Sequence, residues 1–118
     1  MSDDDTMTYL AGLAGLVEVT GESTVSRTVL KGEGARLVVF SFDTGQELSE
    51  HTAAVPVLLQ ALDGSLDVSA SGMSVTLAPG DVIHLPSKVA HSVVAKEPSR
   101  LLLTMLDPRQ AAPLKPTH

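Results

Sequence analysis

From about residue 24 onward, short apolar runs are broken by Gly, Pro and Asp turns, and this rhythm is the strongest constraint on the fold. Residues 36–42 read Arg-Leu-Val-Val-Phe-Ser-Phe. Side chains of a strand alternate sides, so Val38, Phe40 and Phe42 share one face. Residues 56–62 are nearly all apolar, as a strand covered on both faces requires. Asp63-Gly64 follows, a pair suited to the left-handed backbone of a tight hairpin. Leu66, Val68 and Ala70 then alternate with Asp67 and Ser69, and Ser71-Gly72 turns the chain again. Met73, Val75 and Leu77 alternate with Ser74 and Thr76 before Pro79-Gly80-Asp81. Residues 82–85, 91–95 and 101–106 complete about nine short strands with little helix. An all-β sandwich, jelly roll or small barrel is the expected fold class.

The ends are less regular. Residues 1–8 are polar and expected to be mobile. Leu10, Leu13, Leu16 and Val17 fit a helical period, which Gly12 and Gly15 weaken, so a short helical turn leading into a strand is expected. The expected organisation is an N-terminal segment at 1–22, a single β domain at 23–107 and an irregular tail at 108–118. A chain of 118 residues suits one domain and can bury a workable core.

Composition narrows the function classes. The formal net charge is −6, which disfavours nucleic acid and anionic membrane surfaces. Without Trp, the chain lacks the usual platform for stacked bases. Without Cys, disulfides, thiolate metal sites and cysteine nucleophiles are excluded. The start, Met1-Ser2-Asp3-Asp4-Asp5, has the wrong sign for a secretory leader, and no apolar run reaches membrane-spanning length. A cytoplasmic protein is the expectation.

Between Gly45 and His91 the chain resembles the cupin superfamily. The first cupin motif runs glycine, five residues, His-x-His, then a glutamate and a closing glycine; here Gly45, His51 and Gly64 match it. Ala53 stands at the second histidine position and Val57 at the glutamate position. The second motif runs glycine, five residues, Pro-x-Gly, two residues, His; Gly80, Pro86 and His91 match, and Lys88 stands at the glycine. The resemblance covers roughly residues 35–106. It implies an all-β double-stranded β-helix, the jelly-roll or cupin barrel, as a single domain and a homodimer with a reduced metal site. A divalent metal (Zn, Fe, Mn, Ni or Cu) is the implied cofactor, with none as the alternative, because two of the four family ligands are absent.

His51 and His91 are the first candidates, either as metal ligands or as polar lining hydrogen-bonded to a bound acid. His84 completes a three-histidine set if the face of Val82 and His84 points inward, and is an outward histidine otherwise. Glu47 and Glu50 precede His51 but miss the family glutamate position and read as surface charge. Gln60, inside an apolar run, either orients a ligand or pairs across a subunit interface. Lys88, before His91, is a rim cation for an acidic ligand or a solvated lysine. Phe40, Ala53, Val57 and Leu59, with Gln60 and Lys88, are the expected ligand-pocket residues. Aliphatic side chains at 53 and 57 favour an apolar small molecule with one polar or acidic group. Three functions follow: a small-molecule-binding cupin, a metal-dependent dioxygenase or isomerase, or a structural dimer module. No hydrolase triad is recognisable around Ser41 or Ser49.

Overall fold

Turn chemistry sets the strand boundaries, and the clearest case is Gly64. Its φ of 77° belongs to the left-handed region, and a Cβ there would run into the Ser99 hydroxyl and the Pro98 carbonyl. Only glycine permits that hairpin to lie flat against the neighbouring chain. The structure, a computed structural model, describes residues 6–107; the tail expected at 108–118 and the first five residues lie outside the described residues.

Nine strands are present among the described residues: β1 Val25–Gly32, β2 Ala35–Phe42, β3 Glu47–His51, β4 Val57–Asp63, β5 Leu66–Ala70, β6 Met73–Leu77, β7 Ile83–Leu85, β8 His91–Ala95 and β9 Ser99–Leu106. They form two antiparallel sheets, ordered β1-β2-β9-β4-β7 and β3-β8-β5-β6. Among the described residues the sheets face each other as a jelly roll and do not close into a continuous barrel; outside the ladders a single bridge joins Ala61 to Pro79.

Period-2 alternation assigns the faces. Phe42, Val57, Leu59, Leu66, Val68, Leu77, Leu85, Val93, Leu101 and Leu103 point between the sheets and form the core. Val38, Leu103, Leu59 and Ile83 are successive cross-strand partners on the inner face of the larger sheet. One row further along the same face run Lys31, Arg36, Met105, Val57 and Leu85.

The outer face of the larger sheet is also apolar, and the chain covers part of it with its own N-terminal segment. Leu13–Leu16 make a single 3-10 turn. Val17, buried, packs with Val39 and Leu102, with Leu13 and Leu16 beside them. Side chains pin this strap in place. The Ser41 hydroxyl donates to the Glu18 carbonyl at 2.7 Å, and Arg100 Nε donates to the Val17 carbonyl at 2.7 Å while its guanidinium pairs with Asp63 at 2.8 Å. Part of this apolar outer face is therefore covered within one chain. No helix of the described residues is long and apolar enough to cross a membrane.

Candidate functional site

His51 reaches the interior through an irregularity in β3. Leu48 pairs with Val93, and both face the core; His91, two residues before Val93, faces the core as well. His51 lies three residues beyond Leu48, so strict alternation would turn it outward. The β3–β8 register shifts between Leu48 and His51, placing His51 directly opposite His91. One extra residue on β3 thus re-aims the side chain, as β-bulges do.

The two imidazoles lie with ring centroids 4.3 Å apart and planes tilted by 55°. Each is fixed by its own backbone: His51 Nδ1 is 2.8 Å from the Ser49 carbonyl, and His91 Nδ1 is 2.9 Å from the Val89 carbonyl. A carbonyl oxygen can only accept, so both Nδ1 atoms carry a proton, and the neutral form of a ring held this way has its lone pair at Nε2. His91 is 1% exposed, and its Nε2 is buried without a hydrogen-bond partner. An unpaired buried polar atom costs about 1–3 kcal/mol.

Both histidines line a cavity of about 670 Å³ between the sheets. Its walls include Val38, Phe40, Ala53, Val57, Leu103 and Met105. Lys31 and Arg36 from the β1–β2 hairpin, with Asp107, complete the lining. The volume and the mostly apolar wall with a few polar groups match the usual character of a small-molecule pocket.

The expected site residues divide cleanly. Phe40, Ala53, Val57, His51 and His91 meet around the cavity. Leu59 faces the same way but lies in the packed core, fully buried, and does not border the cavity. Gln60 is corrected: its cross-strand partner is Leu102, which belongs to the outer cluster beneath the strap, so Gln60 faces away from the cavity. His84 is corrected too. Ile83 and Leu85 pack inward, so strand parity turns His84 outward, opposite Leu58, and it is exposed. The Lys88 side chain is exposed and does not line the cavity, but its backbone has φ 68° and its N–H donates to the Ala53 carbonyl at 2.8 Å. This left-handed conformation is the physical reason for the glycine in the family pattern. Glu47 and Glu50 are exposed. Lys31 and Arg36 escaped the sequence reading, although Arg36 shares the strand parity of Val38 and Phe40.

The donor set bears on the metal that the resemblance implies. Nδ1 atoms held by carbonyls and free Nε2 lone pairs are how metal-bound histidines are oriented. Yet among the described residues no group of three or more His, Cys, Asp or Glu could hold an ion. Ala53 and Val57, at the two remaining family positions, present only hydrocarbon to the same cavity. Two imidazoles fall short of the three or four protein ligands of a tight site, so the residues do not fit the family's full metal centre.

The two-sheet jelly roll is the fold of the cupins. No protein-family model matches the sequence, and no curated protein matches it. Solved structures do. A cupin superfamily protein from Desulfitobacterium hafniense superposes with TM-score 0.74 at 24% identity, over 80% of this chain and 86% of that one. An RmlC-like cupin from Desulfovibrio desulfuricans superposes with TM-score 0.75 at 24% identity, over 85% and 96%. KdgF from a Halomonas species gives TM-score 0.64 at 23% identity, over 72% and 80%. This chain therefore has the cupin fold, and likeness at these identities establishes the fold alone.

Proposed function

We propose that this protein is a small-molecule-binding cupin whose cavity takes an apolar molecule with one polar or acidic head group, held at the Nε2 atoms of His51 and His91. The observation that carries this reading is His91, which lines a cavity of about 670 Å³ and whose buried Nε2 has no hydrogen-bond partner. A hydroxyl or acid O–H donating to that lone pair removes the cost of leaving it unpaired. The apolar wall around Phe40, Ala53 and Val57 receives the body of the ligand by excluding water. A cavity of this size also argues against a purely structural module with a packed interior.

Titration calorimetry with medium-chain alcohols and acids tests the reading. His91→Leu keeps the volume and removes the acceptor. Wild type binds members of this panel, and the variant binds them about tenfold more weakly, the value of one hydrogen bond to a buried partner. Equal binding by both proteins would sink the head-group reading.

A second reading, a metal-dependent cupin enzyme, is favoured by one feature, the two Nδ1 atoms anchored to carbonyls. It requires the bound molecule to supply the missing ligands. Elemental analysis of protein purified without chelator separates the two readings: near-stoichiometric metal, lost in both His51→Ala and His91→Ala, supports the enzyme.

A further inference from the structure

Resting on the binding function proposed above, we infer that Lys31 and Arg36 form an anion-selecting clamp at the mouth of the cavity, so that the ligand is a bifunctional organic anion: a carboxylate held by Lys31 and Arg36, and a hydrogen-bond donor held by the histidine pair.

Four observations carry this. Lys31 and Arg36 are direct cross-strand partners in the β1–β2 ladder. Like charges facing each other across a ladder repel, and nothing in hairpin formation requires them there. Both side chains line the cavity, and Arg36 leaves β2 on the same face as Val38 and Phe40. Among the described residues the ion pairs are Lys96–Asp67 and Arg100–Asp63, neither of which uses this pair. Among the described residues Asp107 is the one acid in the lining, so the two basic groups there exceed it by a single positive charge. This excess sits in a chain whose net charge is −6.

A carboxylate bridging the two cations turns their repulsion into attraction, and a guanidinium fork matches a carboxylate's two oxygens. The apolar strip of Val38, Phe40 and Met105 suits a short hydrocarbon segment joining the carboxylate to the group held at His91. The clamp also explains selection: a neutral molecule of the same shape gains the hydrocarbon contacts but not the charge-assisted bonds.

The test uses ω-hydroxyhexanoate, which has both groups, α,ω-hexanediol, which has only hydroxyls, and hexanoate, which lacks the donor. Calorimetry is run on wild type, Lys31→Gln, Arg36→Gln, Asp107→Asn and His91→Leu, with a thermal melt of each to confirm folding. Wild type is expected to bind the hydroxy acid about tenfold better than the diol. That preference disappears in Lys31→Gln and Arg36→Gln, falls with added salt and grows in Asp107→Asn. Equal binding of hydroxy acid and diol by wild type, or a preference untouched by both neutralisations, overturns the clamp and leaves the histidine reading standing. A preference that survives in His91→Leu, with diol binding unchanged there, upholds the clamp and removes the histidine reading. No binding of any probe by folded wild type overturns both.

Discussion

His51 stands opposite His91 across β3 and β8 because one extra residue lies between Leu48 and His51. Site and irregularity are the same feature: without the shift, His51 would face solvent and His91 would line the cavity alone. Deleting Glu50, which is exposed, restores regular alternation and turns His51 outward. The expected outcome is a folded protein that loses the close contact between the two rings. Histidine NMR spectra check it directly: the mutual ring-current shifts of His51 and His91 vanish. Unchanged shifts would show that the loop after β3, rather than the bulge, positions the ring.

Lys88 occupies a left-handed position with φ 68°. A side chain there costs about 1–2 kcal/mol, offset in part by the greater entropy a glycine loses on folding. Lys88→Gly is therefore expected to raise stability by about 0.5–1 kcal/mol. Ligand binding stays unchanged, because the lysine side chain does not line the cavity. Denaturant midpoints together with calorimetry read both effects. A loss of affinity would assign the side chain a role at the rim after all.

Gly64→Ala runs the other way. The added Cβ meets the Ser99 hydroxyl and the Pro98 carbonyl at a positive φ. Ser99 cannot yield freely, because its hydroxyl accepts from the Ser65 N–H at 2.9 Å and lies 2.6 Å from the Glu97 carbonyl, to which it donates. A loss of about 3 kcal/mol or more is expected, which chemical denaturation would register as a large fall in midpoint. A change below about 1 kcal/mol would mean that the hairpin relaxes without cost.

Much of the fold was readable in the sequence because its strands obey simple alternation. Val38, Phe40 and Phe42 fall on the inner face as the pattern requires, and the turns at Asp63-Gly64 and Ser71-Gly72 bound β4, β5 and β6. Where alternation is ambiguous the reading left both faces open. His84 sits in a strand of three residues, too short for its own pattern to say which face is buried. Gln60 is flanked by apolar residues on both faces, because the N-terminal strap covers the outside of the same sheet; no periodic signal distinguishes the two sides. The strap also bears on the homodimer that the resemblance implies, since Val17 covers part of the apolar outer face within one chain. Lys31 and Arg36 went unnoticed because charged residues near a hairpin are ordinary, and only the cross-strand register places them over the cavity.

The strap itself makes a measurable contribution. Val17 is buried against Val39 and Leu102, and Arg100 holds its carbonyl. Val17→Ala removes two buried methyl-sized groups, a loss of about 1.5–2 kcal/mol at roughly 0.8 kcal/mol each. The variant is expected to keep ligand affinity, because the strap and the cavity lie on opposite faces of the sheet. Thermal melts with and without ligand separate the two effects, and a parallel loss of affinity would reveal coupling through β2.

Restoring the missing donors asks whether the histidine pair is a metal site lacking ligands. Ala53 and Val57 border the same cavity as His51 and His91. Ala53→His with Val57→Glu supplies the third and fourth ligands at the positions where the family pattern has them. Burying a new carboxylate at position 57, where the native valine is 1% exposed, destabilises the metal-free protein by several kcal/mol. Metal binding should recover that stability, because a ligated carboxylate is no longer an unpaired charge. The expected result is a double variant with a lowered melting temperature that zinc or nickel raises strongly, and a wild type that the same metals shift little. A wild type stabilised as strongly as the double variant would show that two imidazoles suffice, and the metal-dependent reading would then replace the metal-free one.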